Sequence, residues 1–88
     1  MEEEKRQLLF MQLVLQNQQI AMMSMGKINN PVTNNSDKNL EMTKISIDTL
    51  DMLKEKTKGN LTDSETNYLD SVLKELKIMY VEEFLGKK

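Results

Sequence analysis

Asp48, Asp51, Glu55, Asp63, Asp70 and Glu75 are the residues whose type and spacing come nearest to chemistry in this 88-residue chain. Carboxylates three and four apart on a helix can share a metal ion or pass a proton. Helical metal sites of that kind, however, set glutamates beside Glu-x-x-His pairs on inward faces, and the chain has no His. It has no Cys either, which removes Ser-His and Cys-His nucleophiles, imidazole acid–base catalysis and the usual zinc and transition-metal sites. The carboxylates therefore read as a solvated charged face. No Gly-rich phosphate loop is present, and the expectation is a non-enzyme with no catalytic, metal or cofactor-binding residue and no cofactor.

Charge points away from nucleic acid as a direct partner. Twelve basic residues face fourteen acidic ones, and the single Arg6 stands beside Glu2, Glu3 and Glu4 rather than in a basic patch. The same glutamates do not suit a secretion signal. The apolar runs Leu8 to Met11 and Ile20 to Met23 are separated by Gln12, Gln16, Gln18 and Gln19, well short of a membrane span. A cytoplasmic protein is expected, and membrane binding is not. Asn34-Asn35-Ser36 and Asn60-Leu61-Thr62 match glycosylation acceptors only formally and read as polar loops.

Gly and Pro divide the chain into three helical segments within one domain, 1–88. Helix one covers about 2–25 and stops at Gly26, which can take the left-handed conformation that closes a helix. A polar loop over 26–37 with Pro31 follows. Helix two covers about 38–57, capped by Ser36 or Asp37 and ended by Gly59 and Asn60 in a turn at 58–61. Helix three covers about 62–85 and opens with Thr62-Asp63-Ser64-Glu65, which has the form of a capping box. So short a turn folds helices two and three into an antiparallel hairpin. Lys54, Lys56 and Lys58 around that turn suit the negative end of the helix dipole better than a recognition role.

The fold class is therefore all-α, a long first helix plus a helical hairpin. Plotted at 100° per residue, helix three has one apolar face, formed by Tyr68, Leu69, Val72, Leu73, Leu76, Met79, Tyr80 and Phe84. Helix two has two: Leu40, Thr43, Ile47 and Leu50 on one side, and Met42, Ile45, Met52 and Leu53 on the other. Helix one is apolar over nearly half its circumference, through Leu8, Phe10, Met11, Val14, Leu15, Ala21, Met22 and Met25, with Leu13 and Ile20 extending the arc.

Residues from Asn39-Leu40 to Val81 carry a further pattern. Ile47-Asp48, Leu50 and Met52-Leu53 precede the unbroken stretch Glu55-Lys56-Thr57-Lys58-Gly59-Asn60-Leu61-Thr62; Leu69-Asp70, Leu73, Glu75-Leu76 and Tyr80-Val81 follow it. This pattern resembles the bacterial family known as domain of unknown function 1844. Helix one matches it more weakly, through Phe10, the Ala21 region, Met25-Gly26, Pro31 and Thr33, and carries Gln, Asn and Met where relatives are rich in Ser and Ala. The resemblance implies no activity, cofactor or catalytic residue.

A chain of this size buries only about 60–65% of its unfolded surface, and a lone three-helix bundle uses one face of each helix. The surplus on helices one and two thus predicts completion by oligomerisation, as a homodimer or higher oligomer. The expected protein interface is Phe10, Leu13, Val14, Asn17, Gln18, Ile20, Ala21, Met22, Met25, Met42, Ile45 and Met52, with Asn17 and Gln18 as polar residues able to fix register. Eight Met could either offer a pliable surface or fill the core, and Met22, Met23 and Met25 at the end of helix one are the ones expected near a contact. The functional expectation is a helical assembly module that binds itself; the alternative is an accessory subunit docking helix one onto a larger protein or ribonucleoprotein.

Overall fold

A computed structural model describes residues 2–28 and 38–86, so the predicted Ser36, Asp37 and Pro31 lie outside the described residues. The elements are α1 (Glu3–Ser24), α2 (Leu40–Lys56) and α3 (Asp63–Phe84). All three pack against one another. Gln7 near the start of α1 meets Thr62 at the start of α3, and Lys27 beyond the end of α1 meets Glu83 in the last turn of α3. The first helix therefore runs parallel to α3 and antiparallel to α2, seated on its own hairpin.

Each end has a local cause. Glu3 and Glu4 lie in the first turn of α1, where negative charge suits the helix dipole. At its other end Gly26 takes φ +78°, its N–H reaches the Met23 carbonyl at 3.0 Å, and the Lys27 N–H reaches the Met22 carbonyl at 2.9 Å. These are the paired bonds of a Schellman closure, as Gly26 was expected to allow. For α2 the cap is Asn39, whose side-chain oxygen accepts from the Met42 N–H. That corrects the expected Ser36 or Asp37. Asn39 sits directly before the first helical residue, the position from which a side chain can reach the amide three residues on.

The α2–α3 turn follows the sequence closely. Gly59 has φ +85°, and the Asn60 N–H donates to the Thr57 carbonyl at 2.8 Å. The capping box forms in full: the Glu65 N–H donates to the Thr62 hydroxyl at 3.1 Å and the Thr62 N–H to the Glu65 carboxylate at 2.7 Å. The Thr62 hydroxyl also reaches Gln7 Oε1 at 3.3 Å, which ties α1 to the same corner.

Val14, Ala21, Met25, Ile47, Leu50, Leu69, Val72, Leu73 and Leu76 form the core. Phe10, Met22, Leu53, Tyr68 and Tyr80 are half-buried against it. Phe84, expected in the core, is 69% exposed and stacks on Tyr80 with ring centroids 6.1 Å apart. The position facing inward at that level belongs to Glu83, one residue earlier.

A Cβ at position 59 would meet nothing within 4 Å, so only backbone strain opposes a side chain there. Gly59→Ala should therefore cost about 1–2 kcal/mol, the left-handed penalty for a non-glycine residue. Urea denaturation would check this; an unchanged midpoint would contradict the turn described here.

Candidate protein interface

Where α1 meets α2 the side chains are small. Ala21 and Ser24 on α1 and Thr43 and Ser46 on α2 are all buried. The Ser24 and Thr43 hydroxyls are hydrogen-bonded to each other. Ser24 is also placed to donate to the Ala21 carbonyl at 2.9 Å, and Thr43 to the Asn39 carbonyl at 3.3 Å. With one proton each, one hydroxyl donates across the seam while the other donates to its own helix, so the pair is satisfied without water. The Asn39 N–H adds a 2.7 Å bond to the Ser24 carbonyl.

The expected interface residues divide at this seam. Val14, Ala21 and Met25 belong to the core of the chain's own bundle, and Phe10 and Met22 pack against it. These five face inward because α1 lies on its own hairpin. Asn17 and Gln18 are half-buried, and Asn17 Nδ2 donates to the Leu13 carbonyl at 3.0 Å, so its amide is engaged within its own helix. Leu13, Ile20, Met42, Ile45 and Met52 point outward, joined by Leu9; the six are 39% to 58% exposed. By helical phase Leu9, Leu13 and Ile20 fall on the arc of α1 just beyond Ser24, which meets Thr43 of α2, and Met42, Ile45 and Met52 fall on the arc of α2 opposite Lys54 and Asp51, which pair with α3. Together they make one apolar face across two helices.

The α2–α3 seam has the opposite character. Lys54 pairs with Asp70 at 2.8 Å and Lys77 with Asp51 at 3.1 Å, so two ion pairs cross it. The hydrogen bond and charge of Asp70 raise the Lys54 ammonium above its usual value. Asp48 pairs with Lys44 at 3.2 Å along α2. Among the described residues no three carboxylates gather as a metal-binding group. Clefts of about 200 and 170 Å³ flank the α2–α3 turn, the first lined by Glu3, Arg6, Phe10, Asn60, Leu61 and Glu65. Both are smaller than typical pockets for organic ligands, which start at about 300 Å³. No helix among the described residues is long and apolar enough to cross a membrane.

Sequence reasoning missed two features. Ile78, Val81, Phe84 and Leu85 leave an exposed apolar tip on α3; the spacing of Ile78, Val81 and Leu85 was a readable signal of an outer stripe. The other is Glu83, which follows Leu69, Val72 and Leu76 in the buried phase of α3. Its carboxylate takes Lys38 at 2.6 Å and Lys27 at 2.9 Å, and its side chain is 6% exposed. One residue thus holds both ends of the α1–α2 connection.

Hydrogen bonds from Lys38 and then Lys27 hold the Glu83 carboxyl down at about 2, against an ordinary value of 4.5. A depressed carboxyl pKa contributes stability that is present above the ordinary value and lost as pH falls through the folded one. Glu83→Gln should therefore destabilise the chain near neutrality, and the gap to wild type should close between about pH 4.5 and 2. Denaturant midpoints of both proteins across that range would test this; a gap independent of pH would contradict the clamp.

The comparisons with known proteins agree with the resemblance carried by the hairpin. The family model described as a domain of unknown function (DUF1844) matches residues 7–82, covering all of α2 and nearly all of α1 and α3. No curated protein and no solved structure matches the chain significantly. The chain belongs to the DUF1844 family, and its member here is a three-helix bundle with an apolar outer face on α1 and α2.

Proposed function

We propose that this protein is a non-catalytic helical assembly module that associates with itself through the outer face of α1 and α2. The observation that carries this reading is the face itself: Leu9, Leu13, Ile20, Met42, Ile45 and Met52 remain exposed after all three helices have packed. Apolar groups gathered on one side of a small domain, beside a seam of buried hydroxyls and opposite a seam of ion pairs, are the pattern of a contact surface. The side-chain inventory supports the non-catalytic part, since neither His nor Cys is available. The contact works by removing these side chains from water, at about 25 cal/mol for each Å² of apolar area buried.

Sedimentation velocity over micromolar to submillimolar concentrations would test it, with two variants. Wild type should sediment as a dimer or higher even oligomer. Ile45→Glu, which sets a charge in the face without touching the core, should weaken association by about tenfold or more while helicity is kept. Val81→Glu, on the exposed tip of α3, should leave it unchanged. A wild-type monomer throughout the range would overturn self-association, and a stoichiometric foreign protein bound through Ile45 would then favour an accessory subunit. Loss of assembly in Val81→Glu alone would move the contact to α3.

A further inference from the structure

Among the described methionines the exposed ones fall in one place. Met42 is 42% and Met52 45% exposed, and both stand on the outer stripe of α2 beside Ile45. Met25, by contrast, is fully buried in the core, and Met22 and Met79 pack against it. Met11 and Met23 are half-buried. The thioether is the group in this chain most open to two-electron oxidation, since no Cys competes for the oxidant.

The step is an oxygen transfer from a peroxide. A sulfur lone pair attacks one peroxide oxygen, the S–O bond forms as the O–O bond breaks, and the departing hydroxide takes the proton of the transferred oxygen and leaves as water. Sulfur loses two electrons and the peroxide gains them. The sulfoxide is polar and accepts hydrogen bonds, so it suits water and is costly in a dry apolar contact. At Met25 the added oxygen would have to enter the core, where there is no room for it without loss of packing. At Met42 and Met52 it meets solvent, because neither side chain belongs to the core. The fold and the outer stripe therefore respond differently to the same oxidant.

We propose that Met42 and Met52 form a peroxide-reactive modification site, through which oxidation turns the outer stripe of α2 from apolar to polar while the bundle stays folded. The change is reversible, because methionine sulfoxide reductases return each sulfoxide epimer to the thioether. The choice of these two residues follows from their exposure and from their distance from the core. The consequence, loss of assembly on oxidation, rests on the self-association proposed above.

A time course with hydrogen peroxide at micromolar protein tests this, with oxygens counted by intact mass and placed by peptide mapping. Met42 and Met52 should gain oxygen about tenfold or more faster than Met25, and the chain carrying those two oxygens should keep its helical circular dichroism. Once isolated, that chain should associate about tenfold or more weakly than the reduced one, and should recover after treatment with reductases for both epimers. The Met42→Leu, Met52→Leu double variant, close in volume, should sediment alike before and after the same peroxide treatment. Oxygen at Met25 as early as at Met42 and Met52, or helicity lost with the first two oxygens, would overturn the site. An oxidised chain that sediments as the reduced oligomer does would overturn the control of assembly and leave self-association standing. A reduced chain that is already a monomer would overturn self-association, and that control with it.

Discussion

The buried hydroxyl pair of Ser24 and Thr43 is the contact on which the remaining arrangement depends. It sits where α1 ends and α2 begins, among Ala21 and Ser46, side chains small enough for two helix backbones to approach closely. Two hydroxyls buried in an apolar bundle are tolerated only when paired, so this seam has one good alignment rather than many. Once it is made, Val14 and Met25 fall into the core with Leu50 and Leu76. By the same rotation, Leu9, Leu13 and Ile20 turn away from α3 to the outside.

Electrostatics reinforces that division. The ion pairs Lys54–Asp70 and Asp51–Lys77 lie across the hairpin, where they help to hold α2 and α3 in register. Glutamates stand at both ends of the buried stripe of α3. Glu65 closes the capping box at one end, and Glu83 gathers Lys27 and Lys38 at the other. A carboxylate near a helix C-terminus is ordinarily unfavourable to the dipole, and two ammonium groups compensate for it here. The polar ends thus fix α1 lengthwise, and the hydroxyl seam fixes its rotation.

Much of this was legible in the residues. Gly26, Gly59 and the Thr62–Glu65 box announced helix ends because each motif is completed within a few neighbouring residues, and the second stripe of α2 was visible in Met42, Ile45 and Met52, whereas Leu53, read with them, packs against the core. The seating of α1 was not legible. That helix is apolar over so much of its circumference that periodicity selects no single inward face, so Val14, Ala21 and Met25 could equally face its own hairpin or another chain. Glu83 was hidden for a different reason. A charged residue in a buried phase makes sense only with its lysines, and these come from two distant parts of the chain. Asn39 was hidden among several polar residues that cap equally well by type.

One helix then has two apolar faces: an inner one buried on its own hairpin and an outer one, exposed in the folded chain, that is proposed to meet a second copy. If that contact contributes to holding the folded chain, stability depends on concentration, because association draws molecules from the unfolded pool. The thermal midpoint of the unmodified protein, followed by circular dichroism from about 1 to 500 µM, tests this most directly. If a second copy covers the outer face, the midpoint rises steadily with concentration. A midpoint that stays constant across that range would contradict it, showing that the three helices complete their fold alone.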